Sequence, residues 1–329
     1  MLKLLIALHH RFDLWNAPEW FAERLRRDFP GLDVVDLRGY AGIEHQIPDA
    51  DIAIAWSIRP EQFRLAKKLR WIHSTAAAVH QLMFPELIES NVILTNAREV
   101  HGAVVAEHVI ALIFALAKRI PDAVRLQQKH SWGQKEMWES RPRPREIAGA
   151  TLGLIGLGSI GRAVAHSANS LGMKVIAARE HPEKEMPAGV QQVFSSLQID
   201  ELLASSDYVV LCAPVTPSTQ GLMNAARIAQ MKPDACLINV SRGPLIDEKA
   251  FVDALRTHKI GGAALDVFTK EPLPADSPLW DLDNLLITPH TAGLTDKIWE
   301  RHYALYINNL RRFLAAQPLL GVVDKQKGY

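Results

Sequence analysis

Residues 151–161, TLGLIGLGSIG, constrain this chain more than any other stretch. Residues 151–155 are apolar enough for a buried parallel strand. Gly156, Gly158 and Gly161 then spell G-x-G-x-x-G, and a helix-compatible run follows over 162–171. Strand, glycine-rich turn and helix in that order are the context a dinucleotide site requires. Gly156 permits the tight turn, Gly158 lets a pyrophosphate approach the backbone, and Gly161 lets the helix pack close to the strand. The free N–H groups and dipole at the helix N-terminus favour the diphosphate's charge.

The rest of the chain alternates in the same way. Strands are expected at 2–8, 33–37, 51–56, 70–73 and 92–95, with helices at 18–29 and 61–69. Beyond the glycines, strands at 173–178, 208–212, 235–240, 262–267 and 285–288 are interleaved with helices near 200–204, 225–231 and 247–257, and 292–316 reads as helix again. Such alternation implies parallel sheets with helical crossovers. The expected fold is α/β, and 329 residues are enough for two cores. The helix expected at 102–119 is apolar most of the way round, so more than one side should be covered, by a second subunit or by this chain. Residues 121–144 are polar but hold Trp132 and Trp138, which are costly to leave in water, so the segment is expected to wrap onto the protein.

The bulk numbers exclude several function classes. A formal net charge of +1 gives no electrostatic case for nucleic acid or an anionic membrane. The apolar run 4–8 is ended by His9, His10 and Arg11, short of a signal-peptide core, and 103–117 is interrupted by Glu107 and His108 and too short for a bilayer. Cys212 and Cys236 lie in apolar runs and read as buried free thiols, with no metal pair. A cytoplasmic protein is expected. The short stretch after Pro318 implies no further C-terminal domain.

An acidic residue about 20 positions beyond the glycines would bind a ribose diol and select NAD. Here MKVIAARE places Arg179 there, a fixed cation whose donors suit a 2′-phosphate. NADP is favoured and NAD stays possible, because Glu180 reaches the ribose if the strand runs one residue further. Three loops that follow strands carry NVSRGPLID, ALDVFTKEPLP and LLITPHTAG, with Arg242, Asp266, Glu271 and His290. Ligands of open α/β sheets sit outside the carboxyl ends of strands. An arginine there can grip a carboxylate at two points, and a histidine backed by a carboxylate can protonate a ketone oxygen as hydride reaches carbon. Taken singly, Arg242 also fits an ion pair, Glu271 a loop cap and His290 a satisfied loop histidine.

At this point the chain resembles the D-isomer-specific 2-hydroxyacid dehydrogenase family, of glyoxylate/hydroxypyruvate reductase-like and NADP-preferring type. The matching words are LGLIGLGSIG, LCAPVTPSTQGLMN, INVSRGPLIDEKAFVDAL, GAALDVFTKEPLPADSPLW and ITPHTAG, with WIHSTAAAVHQL and LTNAREVHGAVVAEHV in the first half. The resemblance implies two doubly wound parallel-sheet domains. A Rossmann cofactor domain at 99–292 is inserted into a flavodoxin-like substrate domain made of 1–98 plus 293–329. It implies homodimers joined through cofactor domains, and hydride transfer between NAD(P)H and a 2-keto or D-2-hydroxy acid. Arg242, Glu271 and His290 match the catalytic residues, and Asp266 a contact to the nicotinamide carboxamide. Ala76 and Ala77 match the loop whose N–H groups face the substrate carboxylate. Val104, Ser159, Ile160, Ala213, Pro214, Thr216 and Val240 join the glycines and Arg179 in the expected cofactor site. Glu99, and Ala77 or Ala78, stand where the family often has glycine. A phosphoglycerate-type NAD enzyme and a dinucleotide-sensing interaction module of the same fold are the alternatives.

Overall fold

The computed structural model describes residues 1–10 and 12–328. Arg11, which closes the N-terminal apolar run, and Tyr329, the last residue of the expected substrate domain, lie outside the described residues. The chain divides into two compact units, Met1–His101 with Thr295–Tyr329, and Gly102–Leu294.

The first unit is built on a parallel sheet of β1 (Leu2–Ala7), β2 (Leu32–Asp36), β3 (Ile52–Ala55), β4 (Trp71–His73) and β5 (Ile93–Thr95), in the order β2-β1-β3-β4-β5. Alternation along the strands gives it two apolar faces. Leu4, Ile6, Ile52, Ile54 and Trp71 pack with helices Glu19–Asp28 and Ile298–Leu314. Leu5, Ala53, Ala55 and Ile72 pack with Ile43, Leu82 and Leu87 on the other side. The expected helix at 61–69 is one turn only, Pro60–Phe63. Two amides beyond it are captured by a neighbouring loop, Lys67 N–H by the Pro48 carbonyl and Arg70 N–H by that of Asp51. Likewise 292–297 is not helical: the Ala292 amide donates to Asp266 Oδ2, and the helix starts at Ile298.

Polar residues are buried at the carboxyl end of β4. Trp71 and His73 share a strand face, and Tyr306 stacks on the Trp71 ring with centroids 5.3 Å apart. His73, Thr75, His302 and Tyr306 are all within 1% of full burial. Trp71 Nε1 donates to Thr95 Oγ1 at 2.8 Å, and His73 Nδ1 lies 2.9 Å from the same oxygen. Burial pushes the imidazoles of His73 and His302 down to about 3.

The second unit holds β6 (Thr151–Ile155), β7 (Lys174–Arg179), β8 (Gln192–Ser195), β9 (Tyr208–Leu211), β10 (Cys236–Asn239), β11 (Gly262–Leu265) and β12 (Leu285–Ile287). All pairings are parallel, in the order β12-β11-β10-β9-β6-β7-β8. The edge strand β8 has no counterpart in the sequence reading, because QVFS is short and offers little apolar periodicity. Helix Gly102–Ala117 packs on helix Ser159–Ser170, with a Cβ built on Gly102 reaching 3.3 Å from the Ser159 carbonyl oxygen. It leaves Ala103, Glu107, Ala111 and Phe114 exposed.

The wrapping expected of 121–144 is not found. The region forms helices Ile120–Gln128 and Gln134–Glu139, and Trp132 and Trp138 are 90% and 59% exposed. The second helix buries no residue, so no core face of its own holds the indoles. Trp138 is covered instead by the Arg143 guanidinium, 4.4 Å from the ring centroid. Cys212 and Cys236 are unbridged, and burial pushes the thiols up to about 12 and about 11. Among the described residues there is no cluster suited to a metal ion and no helix long and apolar enough to cross a membrane.

Candidate active site

Every strand of the second unit points its carboxyl end the same way, so the loops leaving those ends share one edge of the sheet. The glycine turn lies there. Gly156 has φ +102°, and a Cβ on it would come within 2.7 Å of the Ala213 amide nitrogen, so only glycine fits. No atom lies within 4 Å of a Cβ built on Gly158, which leaves open space beside the backbone where helix Ser159–Ser170 begins. Ser159 and Ile160 form its first turn and are partly buried. Ala213 and Val240 are buried at the ends of their strands, with Pro214 exposed beside Ala213. Thr216 turns its hydroxyl onto Ser218 and Thr219, at 2.9 and 3.0 Å. Val104 is 8% exposed on helix Gly102–Ala117.

Arg179 is the last residue of β7. Its Nη2 donates to the carbonyls of Lys184 and Glu185, which folds the following loop onto the side chain. Its Nε is buried and has no hydrogen-bond partner among the described residues. A buried donor facing no acceptor is the kind of group an anion satisfies.

Arg242, Glu271 and His290 leave β10, β11 and β12, which are adjacent. Asn239, fully buried at the end of β10, fixes the first loop: Nδ2 donates to the Arg242 carbonyl at 2.9 Å and Oδ1 accepts from Ser241 N–H at 3.0 Å. The next residue, Gly243, packs directly on the Phe268–Thr269 backbone, where any Cβ would collide. That contact brings the Arg242 loop against the Glu271 loop. Arg242 Nη1 donates to the Ser241 carbonyl at 2.6 Å, which orients an otherwise exposed guanidinium.

Glu271 Oε1 accepts from Phe268 N–H at 2.9 Å, and Oε2 lies 2.6 Å from His290 Nδ1. This short contact is charge-assisted in character. The side chains are 34% and 52% exposed, so Nε2 of the imidazole remains open to a ligand. His290 has φ +55°, left-handed for a residue with a Cβ. Such a conformation costs about 1–2 kcal/mol and persists only when the surroundings fix it.

Those surroundings centre on Asp266, 1% exposed. Its carbonyl accepts from His290 N–H at 2.9 Å. Oδ1 accepts from Thr291 N–H at 2.8 Å and the Thr288 hydroxyl at 2.6 Å, and Oδ2 from Ala292 N–H at 3.0 Å. The carboxylate expected at the carboxamide is thus engaged with the loop that carries His290. His108 completes the cluster, with Nε2 3.1 Å from Thr288 Oγ1 and 3.7 Å from Asp266 Oδ1. Burial holds the His108 imidazole below its ordinary range, partly offset by the Asp266 charge. Sequence reasoning used His108 only as a break in an apolar helix. The missing signal was a helix histidine paired with a threonine 180 positions away, which no local pattern encodes.

In the first unit, Ala76 and Ala77 follow β4. The Ala76 amide donates to Ser74 Oγ at 3.2 Å, and the carbonyls of Ala76 and Ala77 accept from Ala97 N–H and Asn96 Nδ2. The loop is pinned by its carbonyls, and the Ala77 amide has no partner among the described residues.

Residues 110–292 match the family described as "D-isomer specific 2-hydroxyacid dehydrogenase, NAD binding domain". The chain is 34% identical over 284 residues to the D-3-phosphoglycerate dehydrogenase of Methanocaldococcus jannaschii, covering 85% of this chain and 52% of that protein. It spans about half the length of the phosphoglycerate dehydrogenases it matches. It is 33% identical to the glyoxylate reductase of Korarchaeum cryptofilum over 292 residues, 86% of each chain. Among solved structures, the NADPH-dependent glyoxylate/hydroxypyruvate reductase of Sinorhizobium meliloti in complex with NADP and sulfate superposes with a TM-score of 0.82 at 28% identity, over the full length of both chains. With a nicotinamide-dinucleotide-binding domain in its second unit and relatives of this breadth, the chain belongs to the D-isomer specific 2-hydroxyacid dehydrogenase family.

Proposed function

We propose that this protein is an NADP-preferring reductase of 2-keto acids, working in the reverse sense on D-2-hydroxy acids. The observation that carries the reading is the 2.6 Å contact between His290 Nδ1 and Glu271 Oε2 at the ends of adjacent strands. The reduced nicotinamide supplies the hydride when bound. Everything else falls to side chains of this chain. Glu271 is held by the Phe268 amide and acts only as acceptor, so Nδ1 of His290 carries a proton. The opposite nitrogen, Nε2, then faces the substrate and gives its proton to the ketone oxygen as the alcohol forms. The carboxylate behind the ring stabilises the charged imidazole before that transfer.

Arg242 grips the substrate carboxylate. One Nη is tied to the Ser241 carbonyl, which aims the fork and leaves its other donors for two-point binding. For the cofactor, the open space beside Gly158 suits a pyrophosphate, and the unpartnered Nε of Arg179 suits a 2′-phosphate. The relatives that bind NADP support that preference. The exposed Trp132, Trp138, Ile120 and Val124 support a second copy covering the 120–138 region, as in a homodimer. The buried, unbridged thiols fit a reducing compartment such as the cytoplasm.

The test is an assay of NADPH and NADH oxidation against glyoxylate, hydroxypyruvate and a phenylpyruvate-like acid. Turnover with NADPH preferred is expected, and Arg179→Asp should move the preference towards NADH. No turnover with any 2-keto acid overturns the enzymatic reading. An unmoved NADPH preference in Arg179→Asp overturns the cofactor assignment alone.

A further inference from the structure

We infer that His108 is a positioning residue for His290, acting through the Thr288 hydroxyl and Asp266; the inference rests on the reading of His290 as proton donor. Proton counting fixes how the cluster is wired. Both Asp266 oxygens already accept backbone N–H groups, so Asp266 enters as acceptor. The single hydroxyl hydrogen of Thr288 therefore goes to Asp266 Oδ1, at 2.6 Å. The Thr288 oxygen is left as acceptor for His108 Nε2, at 3.1 Å, so Nε2 carries a proton. The Asp266 carboxylate thus sets the direction of the hydroxyl and with it the tautomer of His108, whose Nε2–H holds the hydroxyl oxygen where it completes the cage around Asp266.

The cage has a task. Asp266 holds the amides of Thr291 and Ala292 with its carboxylate and that of His290 with its carbonyl. These bonds lock a loop in which His290 sits at φ +55°. Without His108 the Thr288 oxygen loses its donor, the side chain that carries the hydroxyl is no longer held in place beside Oδ1, and the loop loses one of its restraints. The imidazole that protonates substrate then samples directions away from the ketone oxygen. Misplacement of about 1 Å at such a group costs up to about 10²-fold in rate. Nothing in this wiring reaches the glycine turn or Arg179, so any change in cofactor affinity is confined to the nicotinamide end, where Asp266 is expected.

The test compares His108→Leu, His108→Gln and Thr288→Val with the intact enzyme. His108→Leu should lose roughly tenfold in kcat with KM changed less than about twofold. The Gln amide nitrogen stands where Nε2 stands and can donate to Thr288, so His108→Gln should recover most of that loss. The double variant His108→Leu/Thr288→Val should be no slower than Thr288→Val alone, because both changes break one chain. Exchange of the Thr291 and Ala292 amide hydrogens gives a reading independent of activity: faster in His108→Leu, near normal in His108→Gln. If His108→Leu fails to fold, His108→Asn replaces it, since its amide nitrogen matches Nδ1 and cannot reach Thr288. Unchanged kcat and exchange in the Leu variant, equal impairment in the Gln variant, or additive losses in the double variant each overturn the inference. An active His290→Ala enzyme, by contrast, removes the reading it rests on while the exchange result still decides whether His108 holds the loop.

Discussion

Histidines are used in opposite ways in the two units. His73 and His302 of the first unit are 1% exposed and kept neutral by burial, which lowers both to about 3. His290 of the second unit is 52% exposed, with a carboxylate 2.6 Å from Nδ1 and its other nitrogen open. The residue type is the same, and the surroundings decide whether it is sealed off and neutral or set beside a carboxylate, the arrangement proposed for an acid. His108 stands between the two: partly buried, tied to a threonine and a carboxylate, and oriented rather than reactive.

The largest effect that would break this contrast is His290→Ala. It should lower kcat by about 10²–10⁴-fold while leaving NADPH affinity close to normal. Equal turnover would place His290 with the structural histidines. Glu271→Gln comes next. It keeps the size of the side chain but turns one of the two accepting oxygens, which face Phe268 N–H and His290 Nδ1, into an NH2 donor and removes the charge behind the ring, and a loss of about 10- to 10³-fold in kcat is expected. A variant as active as the intact enzyme would make Glu271 a loop cap and nothing more.

The smallest effect concerns stability. The folded-state values of His73 and His302 lie below the ordinary histidine value near 6.5, so the unfolded chain binds more protons between about pH 6.5 and about pH 3. Their contribution to stability is complete above about pH 6.5 and is lost as pH falls towards 3. Thermal melts across that window should show a falling Tm, and His302→Phe should flatten the slope because it removes one of the two groups. A slope unchanged by that substitution would mean that carboxylates govern the acid limb.

Where the placement of the candidate site was readable from sequence, it was readable because local pattern and topology agree. Gly156, Gly158 and Gly161 announce their turn by spacing alone. Arg242, Glu271 and His290 were legible because each follows a recognisable strand, and β10, β11 and β12 are neighbours, so position after a strand became proximity in space. The Asp266 cage was not legible, because its partners come from a helix and a loop far apart in the chain and hydrogen-bond direction leaves no mark on composition. The exposure of Trp132 and Trp138 misled for the opposite reason. Transfer cost says what an indole prefers, and says nothing about which chain provides the cover. β8 escaped because an edge strand needs only one neighbour and few apolar residues.

The helix Ile298–Leu314 closes the face of the first sheet formed by Leu4, Ile6 and Trp71. During synthesis, residues 1–101 therefore emerge with that side of the sheet covered only in part, by helix Glu19–Asp28. The inserted unit, whose strands and helices are contiguous, is complete before that cover arrives. Maturation thus runs against the order of the gene: the unit made second is finished first, and the unit begun first stays half-covered until helix Ile298–Leu314 arrives.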